Sequence, residues 1–341
     1  MRYNPALDGI RAIACSVVVA HHCYVPGFKG GAIGVDVFFV LSGYLITSIL
    51  AAEHERTRRI DFLAFYLRRL RRLYPALLLF LAVYLVAVTL LAPQVPVLST
   101  LREVAAAGFY LADYTVPYAG VPKNIAHTWS LAVEEQYYLI WPALLLAVLA
   151  LRRGMAIFVM ASAFVIATAF RFHGLAFHVP IPTVYFTFHY HCSGLLLGSA
   201  LALAQLRPPA SLQPVLLFAG LVGVAICTAL IGRQTTSIGF GILLAEISAA
   251  LLILGARPTS ILSTPWLVRI GTYSYALYLW NAPIARFVRA DHSWPVTFLV
   301  VGGLSLAFSA FSYHFVEQRF RHRKARPELP TPEPDRTPAT G

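Results

Sequence analysis

Apolar stretches long enough to cross a bilayer recur along most of this sequence, and they leave few folds open. We read roughly ten of them, at 7–26, 33–51, 73–92, 127–149, 154–172, 184–205, 212–231, 238–255, 270–289 and 295–316. Most run about 17–22 residues, and a hydrocarbon core of about 30 Å needs about 20. Of the 341 residues, 58% are hydrophobic and 12% charged, where a soluble globular domain has about a quarter charged. Mean hydropathy is +0.68. The chain therefore reads as all-α, a polytopic membrane helix bundle of about ten spans. The first stretch holds Asp8 and Arg11 and lacks a small-residue cleavage site, so it reads as a retained span.

The net charge of +12 is explained better by the membrane than by nucleic acid. With the N-terminus inside, about 20 Lys and Arg residues fall in inside loops and about 7 outside. That asymmetry predicts both termini on the cytoplasmic side of the inner membrane. Cys15, Cys23, Cys192 and Cys227 show no CxxC pairing and read as apolar filler, so neither a metal site nor a disulfide framework is expected.

Two segments depart from the apolar pattern. Residues 52–72 mix arginines with Phe62, Phe65, Tyr66 and Leu70 at helical spacing, which predicts a cytoplasmic interfacial helix leading into the third span at Pro75. From residue 318 the chain is basic and then Pro-rich, and is expected to be a disordered cytoplasmic tail, 318–341.

Polar residues inside the spans are the functional signal, because an ionisable side chain there is expensive. Arg11 and His22 share the first stretch. Eleven residues at about 100° each come within about 20° of three full turns, which puts both on one helical face about 16 Å apart. In GAIGVDVFFVLSGYLIT (31–47), Asp36, Val40, Gly43 and Thr47 form one stripe, and Gly34 and Gly43 allow close helix approach. Asp36 reads equally well as a carboxylate favoured by a helix N-terminus. Ser42 has no nucleophile elbow around it and reads as packing. YLRRLRRLYP holds Arg68, Arg69, Arg71 and Arg72. These satisfy the positive-inside rule, and their guanidinium forks also suit phosphate. In HTWSLAVEEQYYLIWP (127–142), Ser130, Glu134, Tyr137 and Trp141 share a stripe, and Tyr138 is i+4 from Glu134. A buried Glu134 needs a partner. Ser274, Tyr278 and Asn281 are spaced i, i+4, i+7 in the ninth stretch. His189 and His191 read as structural rather than metal-binding.

Five pieces in this order resemble the acyltransferase 3 family of integral-membrane O-acyltransferases: LDGIRAIA…HH, IGVDVFFVLSGYLIT, FYLRRLRRLYPALL, WSLAVEEQYYLIWP and SYALYLWNAPI. The match covers about residues 5–317, and the membrane domain is taken as 1–317. The resemblance selects His22 rather than His21, Arg69 and Arg72 as the Arg-x-x-Arg before a proline, and Glu134 after WSL. In one place this chain departs from it: Asn281 stands where relatives commonly carry His. Asn donates and accepts hydrogen bonds but carries no proton at neutral pH.

The resemblance implies acyl-CoA, most often acetyl-CoA, as co-substrate, and a hydroxyl acceptor, carbohydrate or glycolipid, at or beyond the outer leaflet. A small natural product is the other acceptor class. It implies His22 as general base, with Asp36 or Glu134 orienting the ring, and Arg11, Arg68, Arg69 and Arg72 on the donor. Ser42, Gly43, Trp129, Ser130, Tyr138, Ser274, Tyr278 and Asn281 would support the site. Direct transfer and a covalent acyl-histidine both remain open, as do a transporter or a non-catalytic polysaccharide-export component.

Overall fold

The computed structural model describes residues 3–231, 235–289 and 291–321. The chain opens with α1 (Pro5–His22), in which Asn4 accepts from the Ala6 amide and Pro5 occupies the first turn, a favoured helix start. There follow α2 (Gly34–Thr57), α3 (Phe62–Leu91), α4 (Val97–Gly108), α5 (Ala112–Ala119), α6 (Trp129–Leu149) and α7 (Arg153–Ala176). Next come α8 (Ile181–Phe186), α9 (Phe188–His191), α10 (Ser193–Ala204), α11 (Gln213–Leu230) and α12 (Thr235–Gly255). The chain ends with α13 (Pro265–Val288), α14 (Trp294–Phe311), a π-helical turn (Ser312–Glu317) and α15 (Gln318–Arg321). Residues 322–341, most of the expected tail, lie outside the described residues.

Among the described residues, seven helices are long and apolar enough to cross a membrane. They match seven of the ten expected stretches. The other three are helical but different in kind. Polar side chains interrupt α1 and α13, and the stretch at 184–205 is broken at Thr187 and Cys192 into α8, α9 and α10. Large apolar side chains such as Leu299, Phe218 and Ile166 are about 70% exposed, as a surface meant for lipid requires.

The charged segment 52–72 is not a separate interfacial helix. Its first part extends α2 to Thr57, where Arg58 adopts a left-handed conformation (φ 57°). Its second part is the start of α3, capped by Asp61 on the Ala64 amide at 2.9 Å. Helical spacing is the same in a surface helix and in the end of a span, so periodicity could not separate the two.

Helix directions define two ends. Asn4 donates to the Ala256 carbonyl (3.2 Å) and Gln205 to Glu55 (3.5 Å). The first end thus carries the N-terminus, the α2–α3 turn, Gln205 and Ala256. At the second end, Gly30 N donates to the Thr228 carbonyl (2.9 Å) and Arg286 to the Lys123 carbonyl (3.3 Å).

Glycines bring the central helices to backbone contact. A Cβ at Gly43 would fall into the Leu195 carbonyl, and one at Gly198 into the Val40 carbonyl. Backbone at both positions cannot yield cheaply. Gly43→Val is expected to cost about 1–3 kcal/mol of stability through overpacking, read as a lowered thermal midpoint in detergent. Gly154→Val, where nothing lies within 4 Å of the added atom, should leave the midpoint within about 0.5 kcal/mol of the parent.

Candidate active site

Two connected spaces enter the bundle from the first end. The outer one is a vestibule of about 1630 Å³ bordered by Arg11, Arg68, Arg69 and Arg72, with Tyr3 and Asp8 at its rim. The inner one, about 790 Å³, shares Arg11, Ser42, Arg69 and Arg72 with it and reaches deeper, to Ser130, Glu134 and Tyr278. Ser274 and Tyr138 also line the inner cavity. Nine of the residues singled out in the sequence therefore meet around one space: Arg11, Ser42, Arg69, Arg72, Ser130, Glu134, Tyr138, Ser274 and Tyr278.

The cationic side chains are held in place. Arg11 faces Asp8 at 3.5 Å, and Tyr3 donates its hydroxyl to the other Asp8 oxygen at 2.6 Å. Desolvation, then the neighbouring Asp8, pushes the Tyr3 phenol up to about 12, so it remains a donor. Arg68 pairs with Glu53 at 3.4 Å. The Arg69 guanidinium stacks on the Tyr138 ring, 3.7 Å from its centroid, and its Nε is buried without a hydrogen-bond partner. A buried unpaired donor on a cationic wall suits an anionic ligand. Deeper in, Ser42 donates to the Glu134 carboxylate at 2.5 Å, with Arg69 and Arg11 near enough to act on its charge.

His22 lies outside both spaces. It ends α1 at the second end of the bundle, and its Nδ1 meets the Asn281 Oδ1 at 2.6 Å. The Asn281 amide nitrogen donates to the Leu277 and Tyr278 carbonyls, both at 2.8 Å. Its oxygen must therefore be the atom facing the imidazole, so Nδ1 of His22 carries the hydrogen and Nε2 the lone pair. Asn281 is buried, and one helical turn separates it from Tyr278, about 4.5 Å along α13. His21 turns elsewhere, its Nδ1 against the Phe28 carbonyl (3.1 Å).

Both expected carboxylates have partners of their own. Asp36 is 1% exposed and pairs with His191 Nε2 at 2.7 Å. Glu134 is engaged by Ser42 in the inner cavity. The contact at His22 Nδ1 is the neutral Asn281 amide. Gly43 and Trp129 also stand apart from the cavity. Gly43 packs on the α10 backbone, and Trp129 packs 5.0 Å from His191 and 5.9 Å from Phe39.

Three residues of this region were given no role in the sequence. Asp8 was visible as an i, i+3 partner of Arg11. Glu317, on the π-helical turn, closes part of the inner cavity, and no local pattern announces it. His127 opened a quoted motif without being given a role. His191, expected to be structural, pairs with the buried Asp36. A second pair, Arg171 and Glu246, is fully buried and 3.5 Å apart, with Ser193 donating to Glu246 and accepting from Arg171. Among the described residues, no three His, Cys, Asp or Glu side chains are grouped so as to hold a metal ion.

The family model for an acyltransferase domain, acyltransferase 3, matches residues 4–314. The chain belongs to the acyltransferase 3 family. It is 34% identical over 358 residues to the O-acetyltransferase OatA of Staphylococcus aureus strain NCTC 8325, covering 94% of this chain and 58% of that relative. A putative O-acetyltransferase of S. aureus strain MSSA476 is 33% identical over 351 residues, with the same coverage. The chain thus spans less than two thirds of these relatives' length. No solved structure matches it.

Removing one member of a buried ion pair leaves the other charge uncompensated, at about 3–5 kcal/mol. Glu246→Gln is expected to lower stability on that scale by stranding Arg171. The double change Arg171→Met with Glu246→Leu should recover most of the loss. Thermal unfolding of the purified protein in detergent reads both, and equal losses in the single and double variants would contradict the pairing.

Proposed function

We propose that this chain is a membrane-bound O-acyltransferase. It takes an acyl group, most simply acetyl, from acyl-CoA and passes it to a hydroxyl of an extracytoplasmic carbohydrate or glycolipid. One observation carries the reading. An arginine-lined vestibule at one end leads to a cavity whose deep wall, Tyr278, stands one helical turn from the residue that holds His22 from the other end.

The first end, with exposed Arg56, Arg58, Arg59, Arg68 and Arg71, is assigned to the cytoplasm by the positive-inside rule. Both termini then lie there, in the inner membrane. Arg69 and Arg72, with Arg68 at the mouth, hold the phosphates of CoA. The pantetheine arm runs inward past Arg11, Ser42 and Glu134, and the thioester comes to rest against Ser130, Ser274 and Tyr278.

Nε2 of His22 removes the proton from the acceptor hydroxyl. The oxygen attacks the thioester carbon, the carbon–sulfur bond breaks, and the imidazolium returns the proton to the departing thiolate. The products are the ester and free CoA thiol. Asn281 fixes the ring and its tautomer throughout, the part a carboxylate takes in a catalytic triad. Being neutral, it cannot take a proton itself.

Transfer from radiolabelled acetyl-CoA into envelope glycan, measured in membranes carrying each variant, tests this reading. His22→Ala should abolish transfer and His21→Ala should not. Asn281→His should be tolerated, since an imidazole can still accept from Nδ1. Full activity in His22→Ala would overturn the assignment. For the donor site, Arg69→Ala or Arg72→Ala should weaken acetyl-CoA binding by about 1.5–3 kcal/mol, as loss of a charge-assisted contact does. Arg56→Ala and Arg58→Ala should not. Calorimetry on purified protein separates a clamp from diffuse charge, because diffuse charge would make all four changes equal.

A further inference from the structure

A second imidazole is tied to the same helix as the first, and the mechanism above leaves it unused. His127 is 8% exposed and precedes Ser130 of the cavity wall by three residues, one helical turn further from the vestibule. Its Nε2 meets the Leu279 carbonyl at 3.1 Å. A carbonyl only accepts, so Nε2 carries the hydrogen and Nδ1 the lone pair. That Nδ1 is buried and has no hydrogen-bond partner. Its cost is that of any unpaired buried polar atom, so it calls for a reason.

The geometry around α13 repeats at the two rings. His22 donates from Nδ1 to Asn281, and His127 donates from Nε2 to Leu279, two residues away on the same helix. Each ring is tied to α13 by its N–H, and in His127 the acceptor nitrogen is left without a hydrogen-bond partner. The His127 carbonyl is also where the Tyr278 hydroxyl is anchored, at 2.8 Å. His127 thus stands on the His22 side of the wall that closes the donor cavity.

We propose that His127 is a positioning residue for the hydroxyl acceptor, its Nδ1 accepting a hydrogen bond from a second hydroxyl next to the one His22 deprotonates. This rests on the acyl-transfer reading and narrows its acceptor to polyhydroxylated molecules with neighbouring hydroxyls. The pantetheine amides would be the other hydrogen-bond donors in the reaction. They trail the thioester toward the vestibule, in front of Tyr278, whereas His127 lies behind it. A simple alcohol would leave Nδ1 unpaired, and a site with a buried acceptor discriminates against a substrate that lacks the matching donor.

The test uses the full chain in lipid nanodiscs, acetyl-CoA as donor, and methyl glucopyranoside with its monodeoxy analogues as acceptors. For the parent protein, removing one hydroxyl adjacent to the acylated one should lower kcat/KM about tenfold, the scale of one lost hydrogen bond. His127→Gln keeps a side-chain N–H for Leu279 but has no acceptor at the Nδ1 position, and should bring that discrimination within about twofold. His127→Asn places an amide oxygen near Nδ1 and should restore it. The ratio is internal to each variant, so a general loss of activity does not move it. If His127→Gln yields no folded protein, His127→Ala serves the same arm. Discrimination retained in the Gln or Ala variant overturns the proposal. So does a raised KM for acetyl-CoA with the acceptor ratio unchanged, which would place Nδ1 on the donor or give it a structural role. Equal rates for all analogues in the parent protein overturn it as well. No acetyl transfer by the parent protein to any acceptor overturns the acyl-transfer reading, and the inference with it.

Discussion

The packing of α1 against α13 is the contact on which the rest of this structure depends. The two helices carry the polar residues that an apolar bundle cannot leave facing lipid, and they lie in direct backbone contact. A Cβ at Gly271 would fall into the Asp8 carbonyl, and the Cys15 thiol lies 3.7 Å from the Ser274 carbonyl. From that seam Arg11 reaches the vestibule and His22 reaches Asn281. Close approach lets a neutral amide on one helix and an imidazole on the other meet at 2.6 Å, where neither would be stable alone in hydrocarbon. The remaining helices surround the seam: α2 and α6 supply Ser42 and Glu134, and α3 brings the arginines from the side.

Polar groups at depth are managed by pairing rather than by avoidance. Arg171 with Glu246, and Asp36 with His191, tie α7, α12, α2 and α9 together away from the cavity. Such pairs gain little net stability once desolvation is counted, but each strongly penalises any arrangement that separates its members. That suits a chain whose helices are otherwise similar in apolarity and need something to set which face meets which. Some buried polar atoms keep unfilled capacity, the Arg171 Nε of one such pair among them. Arg69 Nε and His127 Nδ1 lack partners, one on the donor side and one beyond Tyr278.

Much of the site was legible in the sequence because helical phase is a local property. Arg11 and His22 fell on one face from spacing alone. The stripes Ser130–Glu134 and Ser274–Tyr278 likewise project into one cavity. What the sequence could not disclose was the choice of tertiary partner. Asp36 looked like a ring-orienting carboxylate, yet its imidazole is His191, 155 residues along the chain. Asn281 stood out as a departure from a family pattern, and its position against His22 explains why a hydrogen-bonding group sits there. The segment 52–72, expected as one helix, is divided between the end of α2 and the start of α3, because an amphipathic pattern does not mark where one helix stops and the next begins. The sixth stretch is apolar enough on average to read as one span, and mean hydropathy is blind to the break at Thr187 before His191.

The central claim is that a donor entering past the arginines delivers its acyl carbon through the Tyr278 wall to His22. A structure of the full chain bound to a non-hydrolysable thioether analogue of acetyl-CoA, in lipid nanodiscs, tests it most directly. The account predicts phosphates on Arg69 and Arg72, and the analogue's carbonyl carbon within hydrogen-bonding reach of an acceptor hydroxyl placed at His22 Nε2, with the Tyr278–Ser130 contact of 2.7 Å opened. An analogue that ends beside Glu134 with that contact intact and His22 walled off would contradict it.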